Sequence, residues 1–374
     1  MFIHGVGMTQ FGFQVTPTHM LAYEAVMEAL EESKMTIKDI DAIVVATLEN
    51  EMNGERQRLY GGIMASLFKT HIPIVQVAAY CGGGAAALWN ALKLGYENVL
   101  VIATDRLAAG TLEDVTEMIM QAGDHIWDQQ EGLNFPSACA FFAQHYFKKY
   151  NITIDDLNLI PYKNHQNAKL NPKAPFYGKE VTLDQIKSSR VVASPLRVHD
   201  CAITVNGAVA VVVSKKPSDI EIVGSALTTD TISLLERKDL TSWKATRLAA
   251  EQAYKHAGIT PNDIDVVELH DAFSITELMA YEDLGFAEPG KGLELITSKK
   301  TFRDGSLPVN PSGGLKARGH PMSPSGLAQV YEIVNQMRGK CDERQIEKPL
   351  RYGLTHNVGG IGAVVGVHVI KKVN

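Results

Sequence analysis

One pattern occurs twice in this chain, and it restricts the available folds more than any other feature. Residues 25–31 read as helix and continue through Met35-Thr36-Ile37-Lys38-Asp39-Ile40-Asp41 into the apolar strand Ala42-Ile43-Val44-Val45-Ala46-Thr47. Residues 249–257 also read as helix and continue through Gly258-Ile259-Thr260-Pro261-Asn262-Asp263-Ile264-Asp265 into Val266-Val267-Glu268-Leu269-His270. Thr36, Asp39, Ile40 and Asp41 match Thr260, Asp263, Ile264 and Asp265 at one constant offset. Thr36 and Thr260 each stand where an N-cap would open a short turn. Further on, each half runs a helix into a strand (98–104 and 352–355) and closes on an apolar strand (208–213 and 363–369). Alternating strands and helices predict α/β layers. A chain of 374 residues is too long for one simple core. We therefore expect two similar halves, 1–217 and 218–374. Residues 108–190 have no counterpart in the second half. They read as an inserted loop domain of the kind that shapes a binding site.

The bulk composition excludes several classes. Net charge is −6 and no basic block is present, which argues against nucleic acid or acidic lipid as partner. The longest apolar runs are strand-sized, and the N-terminus lacks a basic region followed by an apolar one, so neither a membrane span nor a signal peptide is expected. Four widely spaced cysteines make neither a disulfide framework nor a zinc site; they fit a reducing cytoplasm, and no metal is expected.

Cys81 is the most informative single residue. It lies in Ala79-Tyr80-Cys81-Gly82-Gly83-Gly84, between an apolar strand and an alanine-rich helix. A helix start carries free N–H groups and a positive dipole end, which favour thiolate. The three glycines would let a substrate approach the backbone. The competing account is a small buried hydrophobe. Three histidines weigh against it: His270 at a strand end, His320 in Gly319-His320-Pro321 ahead of a helix, and His356 in His356-Asn357-Val358-Gly359-Gly360 between two strands. Histidine is the natural base for a thiol and carries protons near neutral pH. Glycine-rich 357–365 could supply N–H donors to a carbonyl oxygen, or it could be a tight turn. Cys139, Cys201 and Cys341 look structural.

Together these motifs resemble the thiolase family over essentially the whole chain. The Cys81 segment looks like its nucleophile segment, and Gly319-His320-Pro321 like its Gly-His-Pro motif. His270-Asp271-Ala272-Phe273 stands where many thiolases have Asn-Glu-Ala-Phe, and His356-Asn357-Val358-Gly359 where they have a Cys-x-Gly segment. Lys163-Asn164-His165-Gln166-Asn167-Ala168 and Val205-Asn206-Gly207-Ala208 are also thiolase-like. The sterol-carrier-protein-X and archaeal branch is the most similar. Some relatives carry cysteine where this chain has Ala272.

The resemblance implies a duplicated, layered α-β-α-β-α fold. It implies Cys81 as the acyl-accepting nucleophile, His320 as the group that activates it and helps hold the thioester oxygen of the second substrate, and His270 as support for that same oxyanion site. His356 would stand in for the second cysteine that moves the α-proton. Backbone N–H groups of Cys81 and of Val358, Gly359 and Gly360 would complete the oxyanion hole. No cofactor is implied; coenzyme A is substrate and product. The implied reaction joins two acetyl-CoA into acetoacetyl-CoA, with a place in the mevalonate pathway. The implied partners are a second copy or three more, HMG-CoA synthase and a small OB-fold scaffold protein. Thiolysis of longer 3-ketoacyl-CoA, retro-aldol cleavage, and a non-catalytic acyl-CoA-binding subunit stay open as alternatives.

Overall fold

The duplication takes shape as two copies of one strand arrangement. The structure, a computed structural model, describes residues 1–48, 55–108 and 111–373. The first half supplies β1 (Phe2–Met8), β2 (Ala42–Ala46), β3 (Ile74–Val77) and β4 (Asn98–Arg106). A small hairpin of β5 (Val191–Ala193) and β6 (Leu196–Arg197) then precedes β7 (Asn206–Ser214). The second half supplies β8 (Ile220–Thr229), β9 (Val266–Glu268), β10 (Tyr352–Gly359) and β11 (Val364–Lys372). The large sheet runs β3-β2-β4-β7-β1-β8-β11-β10-β9. In the first half β2–β4 is parallel, while β4–β7 and β7–β1 are antiparallel. In the second, β9–β10 is parallel, while β10–β11 and β11–β8 are antiparallel. The copies join where β1 pairs with β8.

The residues that match in sequence do the same job twice. The backbone N–H of Thr36 donates to Asp39 Oδ2 at 2.8 Å, and that of Thr260 to Asp263 Oδ2 at 2.8 Å. Asp41 Oδ2 then accepts the N–H of Asn98 at 2.8 Å, and Asp265 Oδ2 that of Tyr352 at 2.9 Å. Each pair thus forms a turn and pins the start of the equivalent strand.

Helices α1 (Thr18–Ser33) and α2 (Tyr60–Phe68) cover the outer face of the first half. On its inner face lies α3 (Gly83–Lys93). The inserted segment contains α4 (Leu112–Met120), α5 (Phe135–Tyr150), α6 (Leu159–Ala168) and α7 (Leu183–Ser188). Helix α8 (Lys244–Ala257) covers the outer face of the second half. After β9 come α9 (Ser274–Asp283), α10 (Gly292–Thr297) and α11 (Gly314–Arg318), and then α12 (Pro324–Arg338), which returns to lie against α3. Helices α3 and α12 form the central layer of an α-β-α-β-α stack.

The glycines after Cys81 serve this central crossing and do not admit substrate. A Cβ on Gly84 would come within 2.7 Å of Leu327 N and Ser323 O, and one on Gly326 within 2.7 Å of Ala85 N. Side chains there would force the two helices apart. The insertion is also longer than the sequence suggested. It runs from the end of β4, through residues 109 and 110, which lie outside the described residues, to the start of β7. In the second half only Gly360-Ile361-Gly362-Ala363 separates the equivalent strands β10 and β11. Among the described residues no helix is long and apolar enough to cross a membrane.

Candidate active site

Strands β3, β9 and β10 end close together, and the segments leaving them enclose a cavity of ≈ 190 Å³. Cys81, His270, His320 and Gly360 all line it. Helices α4 and α5 of the insertion supply an apolar wall that includes Val115, Ile119 and Phe135.

Cys81 sits in the single helical turn Tyr80–Gly82 that leads into α3. Its sulfur lies 3.2 Å from Met322 Sδ. Tyr80, which precedes Cys81, and Met322 itself have φ of +52° and +63°. Backbone held in the left-handed region by a non-glycine residue is strained. The Tyr80 hydroxyl, which donates to Met118 O, ties this turn to α4. The thiol is not the depressed one its position suggested. Burial, then the nearby Asp105 carboxylate, push it up to about 12, against backbone N–H groups including that of Gly360. A helix-end dipole is worth about 0.3–1 kcal/mol, less than about one pKa unit. Burial of an ionisable group shifts it by up to ~3–5 units, so burial wins.

Asp105, at the end of β4, is itself buried and raised to about 7. Its carboxylate accepts N–H groups from Leu48 at 2.7 Å and Ser323 at 2.8 Å. As pH rises through about 7, Asp105 gains the charge that opposes ionisation of Cys81. We expect Asp105→Asn to raise the iodoacetamide alkylation rate of Cys81 above pH 7. Equal rates in both proteins across pH 7–9 would show that this charge does not govern the thiol.

His270 leaves the end of β9 with its ring held in one tautomer. Its Nδ1 lies 3.3 Å from both the Val358 backbone N–H and the Asn357 side-chain amide. Two donors on Nδ1 make it the acceptor, so the proton is on Nε2. Burial, with His320 and His356 adding to it, keeps the ring well below the usual histidine range, hence neutral. A neutral imidazole with a fixed N–H is a hydrogen-bond donor to an oxyanion, not a base.

His320 meets His270 edge-on, with ring centroids 5.3 Å apart. Its Nδ1 lies 2.6 Å from Ser325 Oγ, in the first turn of α12. Its backbone N–H donates to Ile203 O at 2.8 Å. Burial and the Arg318 guanidinium lower it to about 3. It is therefore uncharged at neutral pH.

His356 does not join them. It is fully buried in β10, does not line the cavity, and lies against α8. Its Nε2 is 3.1 Å from Thr246 Oγ1, and its Nδ1 receives the His270 backbone N–H at 3.5 Å. Alternation along a strand turns the side chain of Asn357 towards α3 and that of His356 the opposite way. The structure therefore does not bring His356 to the cavity, where the expected proton-moving role would need it; the ring lies behind His270. The expected oxyanion turn also narrows. The Val358 N–H is spent on His270, Gly359 abuts Gly82, and only Gly360 lines the cavity.

Sequence reasoning missed two cavity residues. Cys139, on α5, and Cys201 both line the cavity beside Cys81, although both read as structural. Cys341 is buried, its sulfur 3.7 Å from Glu332 Oε1.

A buried polar network fixes the His270 segment. Asp271 accepts the N–H of Leu315 at 2.6 Å and the Asn164 amide at 2.8 Å. Asn164 also donates to Glu277 at 2.7 Å, and Glu277 pairs with Lys163 at 2.8 Å. The Lys163-Asn164 motif of α6 thus reaches α9 and the loop that carries His320.

Residues 1–196 match the family model for the thiolase N-terminal domain, and residues 226–372 that for a thiolase C-terminal domain-like unit. An acetyl-CoA acetyltransferase of Methanothermobacter thermautotrophicus is 38% identical, covering 98% of each chain. One of Methanocaldococcus jannaschii is 36% identical, also over 98% of each. Human mitochondrial 3-ketoacyl-CoA thiolase superimposes with a TM-score of 0.73 at 17% identity, over 100% of this chain and 98% of that one. With the family models spanning both halves and the cysteine and two of the histidines meeting where those halves converge, this chain belongs to the thiolase family of acyltransferases.

Proposed function

We propose that the chain condenses two acetyl-CoA molecules into acetoacetyl-CoA and free CoA, reversibly, through an acetyl group carried on Cys81. The observation that carries this reading is the meeting of Cys81, His320, His270 and the Gly360 turn around one largely apolar cavity. The names of the two archaeal relatives support acetyl as the acyl group. His320 takes the Cys81 proton as the sulfur attacks the thioester. The Nε2–H of His270 and backbone N–H groups stabilise the oxyanion that forms, each such donor contributing about 3 kcal/mol in acyl-transfer enzymes. An outer cleft shares Val115, Cys201, Ala202 and Thr204 with the cavity and adds Arg190, His199 and Lys316. The Arg190 and Lys316 cations in this lining support it as the path for the CoA arm. A supply of acetoacetyl-CoA to the mevalonate pathway, and an assembly with further copies, HMG-CoA synthase or an OB-fold protein, belong to the same proposal. The open edge of β3 supports self-association.

Mass spectrometry of the protein after incubation with acetyl-CoA is expected to place one acetyl group on the Cys81 peptide. The same preparation is expected to cleave acetoacetyl-CoA when CoA is added. An unmodified Cys81 together with no cleavage would refute the reading and favour a binding subunit.

A further inference from the structure

Condensation needs a base for the α-proton of the second thioester, and His356, the residue expected to supply it, is not placed to do so. His356 is outside the cavity. Among the described residues, the titratable side chains that line the cavity are Cys81, Cys139, Cys201, His270 and His320. Cys81 carries the acyl group. His270 has its Nδ1 occupied by two N–H donors and presents a proton, not a lone pair. Two thiols and His320 remain.

We propose that Cys201 is the catalytic acid and base that moves the α-proton. Three observations single it out. It lines both the acyl cavity and the outer cleft, so it stands at their junction, where the thioester of an incoming acyl-CoA must pass. It is only partly buried, whereas Cys139 is buried within α5. Its backbone is bridged to Phe273, and the Ala202 N–H donates to Ala272 O at 2.8 Å. The backbone that carries the thiol is thereby fixed to the segment that begins with His270, and the sulfur lies 3.5 Å from Arg197 O.

The proton count points the same way. His320 already holds the Cys81 proton when the second thioester arrives, which leaves it no lone pair for the α-proton. Burial, offset by the Lys316 ammonium, raises the Cys201 thiol to about 11. Its thiolate is a strong base. The inference rests on the reading of Cys81 as acyl carrier, and its protons balance. In the first half-reaction His320 takes the Cys81 proton and the Cys201 thiol gives its proton to the departing CoA thiolate. In the second, the Cys201 thiolate removes the α-proton and the carbanion attacks acetyl-Cys81. The C–C bond forms as the Cys81–acyl bond breaks, and the Cys81 thiolate regains its proton from His320.

The test separates the two half-reactions in the full-length protein. Solvent deuterium entering C2 of acetyl-CoA, and acetoacetyl-CoA formation, are expected to fall at least about 100-fold in Cys201→Ala, the usual scale for losing a general base. Acetyl-Cys81 should still form and be seen by mass spectrometry. Cys201→Ser, close in size but far less acidic, should behave as the alanine variant does, which guards against a folding effect. Deuterium entry within fivefold of wild type in both variants overturns the proposal. So does a loss confined to Cys139→Ala. Failure of wild-type Cys81 to acquire acetyl overturns the underlying reading instead, and with it this assignment.

Discussion

Cys81→Ser is expected to lose thiolysis of acetoacetyl-CoA by roughly 10⁴-fold or more, the scale seen when a covalent nucleophile is removed. The serine hydroxyl would occupy the same turn, beside Met322 and Gly360. A hydroxyl is far harder to deprotonate than a thiol, and the His320 that would take its proton is lowered by burial to about 3. Serine also forms an ester, a poorer acyl donor to a carbanion than a thioester. The variant should fold normally, because the change is nearly isosteric and the glycines of the α3–α12 crossing are untouched. Steady-state rates on acetoacetyl-CoA plus CoA check this directly. A variant within tenfold of wild type would show that Cys81 is not the nucleophile.

The second large effect is on stability. Glu277→Ala is expected to cost about 3–5 kcal/mol, the range for breaking a fully buried ion pair on one side. Both Glu277 and Lys163 are completely buried. Removing the carboxylate strips Lys163 of its counter-ion and takes an acceptor from Asn164, Asn310 and Tyr281. Lys163→Met should cost less. Glu277 would keep those three donors, and the methionine refills the volume. Urea denaturation of both variants, monitored by tryptophan fluorescence, measures the difference. A Glu277→Ala loss of about 1 kcal/mol or less, the value of an exposed pair, would mean that the network does not anchor the fold. Because Asn164 also holds Asp271, the same variant should loosen the His270 segment and lower activity beyond its effect on folding.

Much of this molecule was legible in the sequence for a physical reason. Turn chemistry is local. Thr36 with Asp39 and Thr260 with Asp263 cap their turns through atoms three residues apart, so the repeat could be read and the two halves inferred. Apolar runs such as Ala208–Val213 are buried on both faces, and composition alone marks such strands. Cys81, His270 and His320 could be picked out because each leaves an element at a glycine-flanked or strand-end position.

Other properties depend on groups far apart in the chain. The twofold alternation of a strand sends His356 away from the cavity, and which face is which depends on α8 lying on one side and α3 on the other. The basicity of Cys81 is set by burial and by Asp105, twenty-four residues further along the chain. The glycines that seemed to welcome a substrate make room for α12. Cys201 looked inert because only the insertion and the second half together enclose the cavity it lines. The sequence by itself determined the duplicated α/β fold and the family and singled out Cys81 as the candidate nucleophile, all from short-range patterns. Only the tertiary structure decided which side chains share the cavity and how they ionise, because desolvation and contact act through space between residues that the chain keeps far apart.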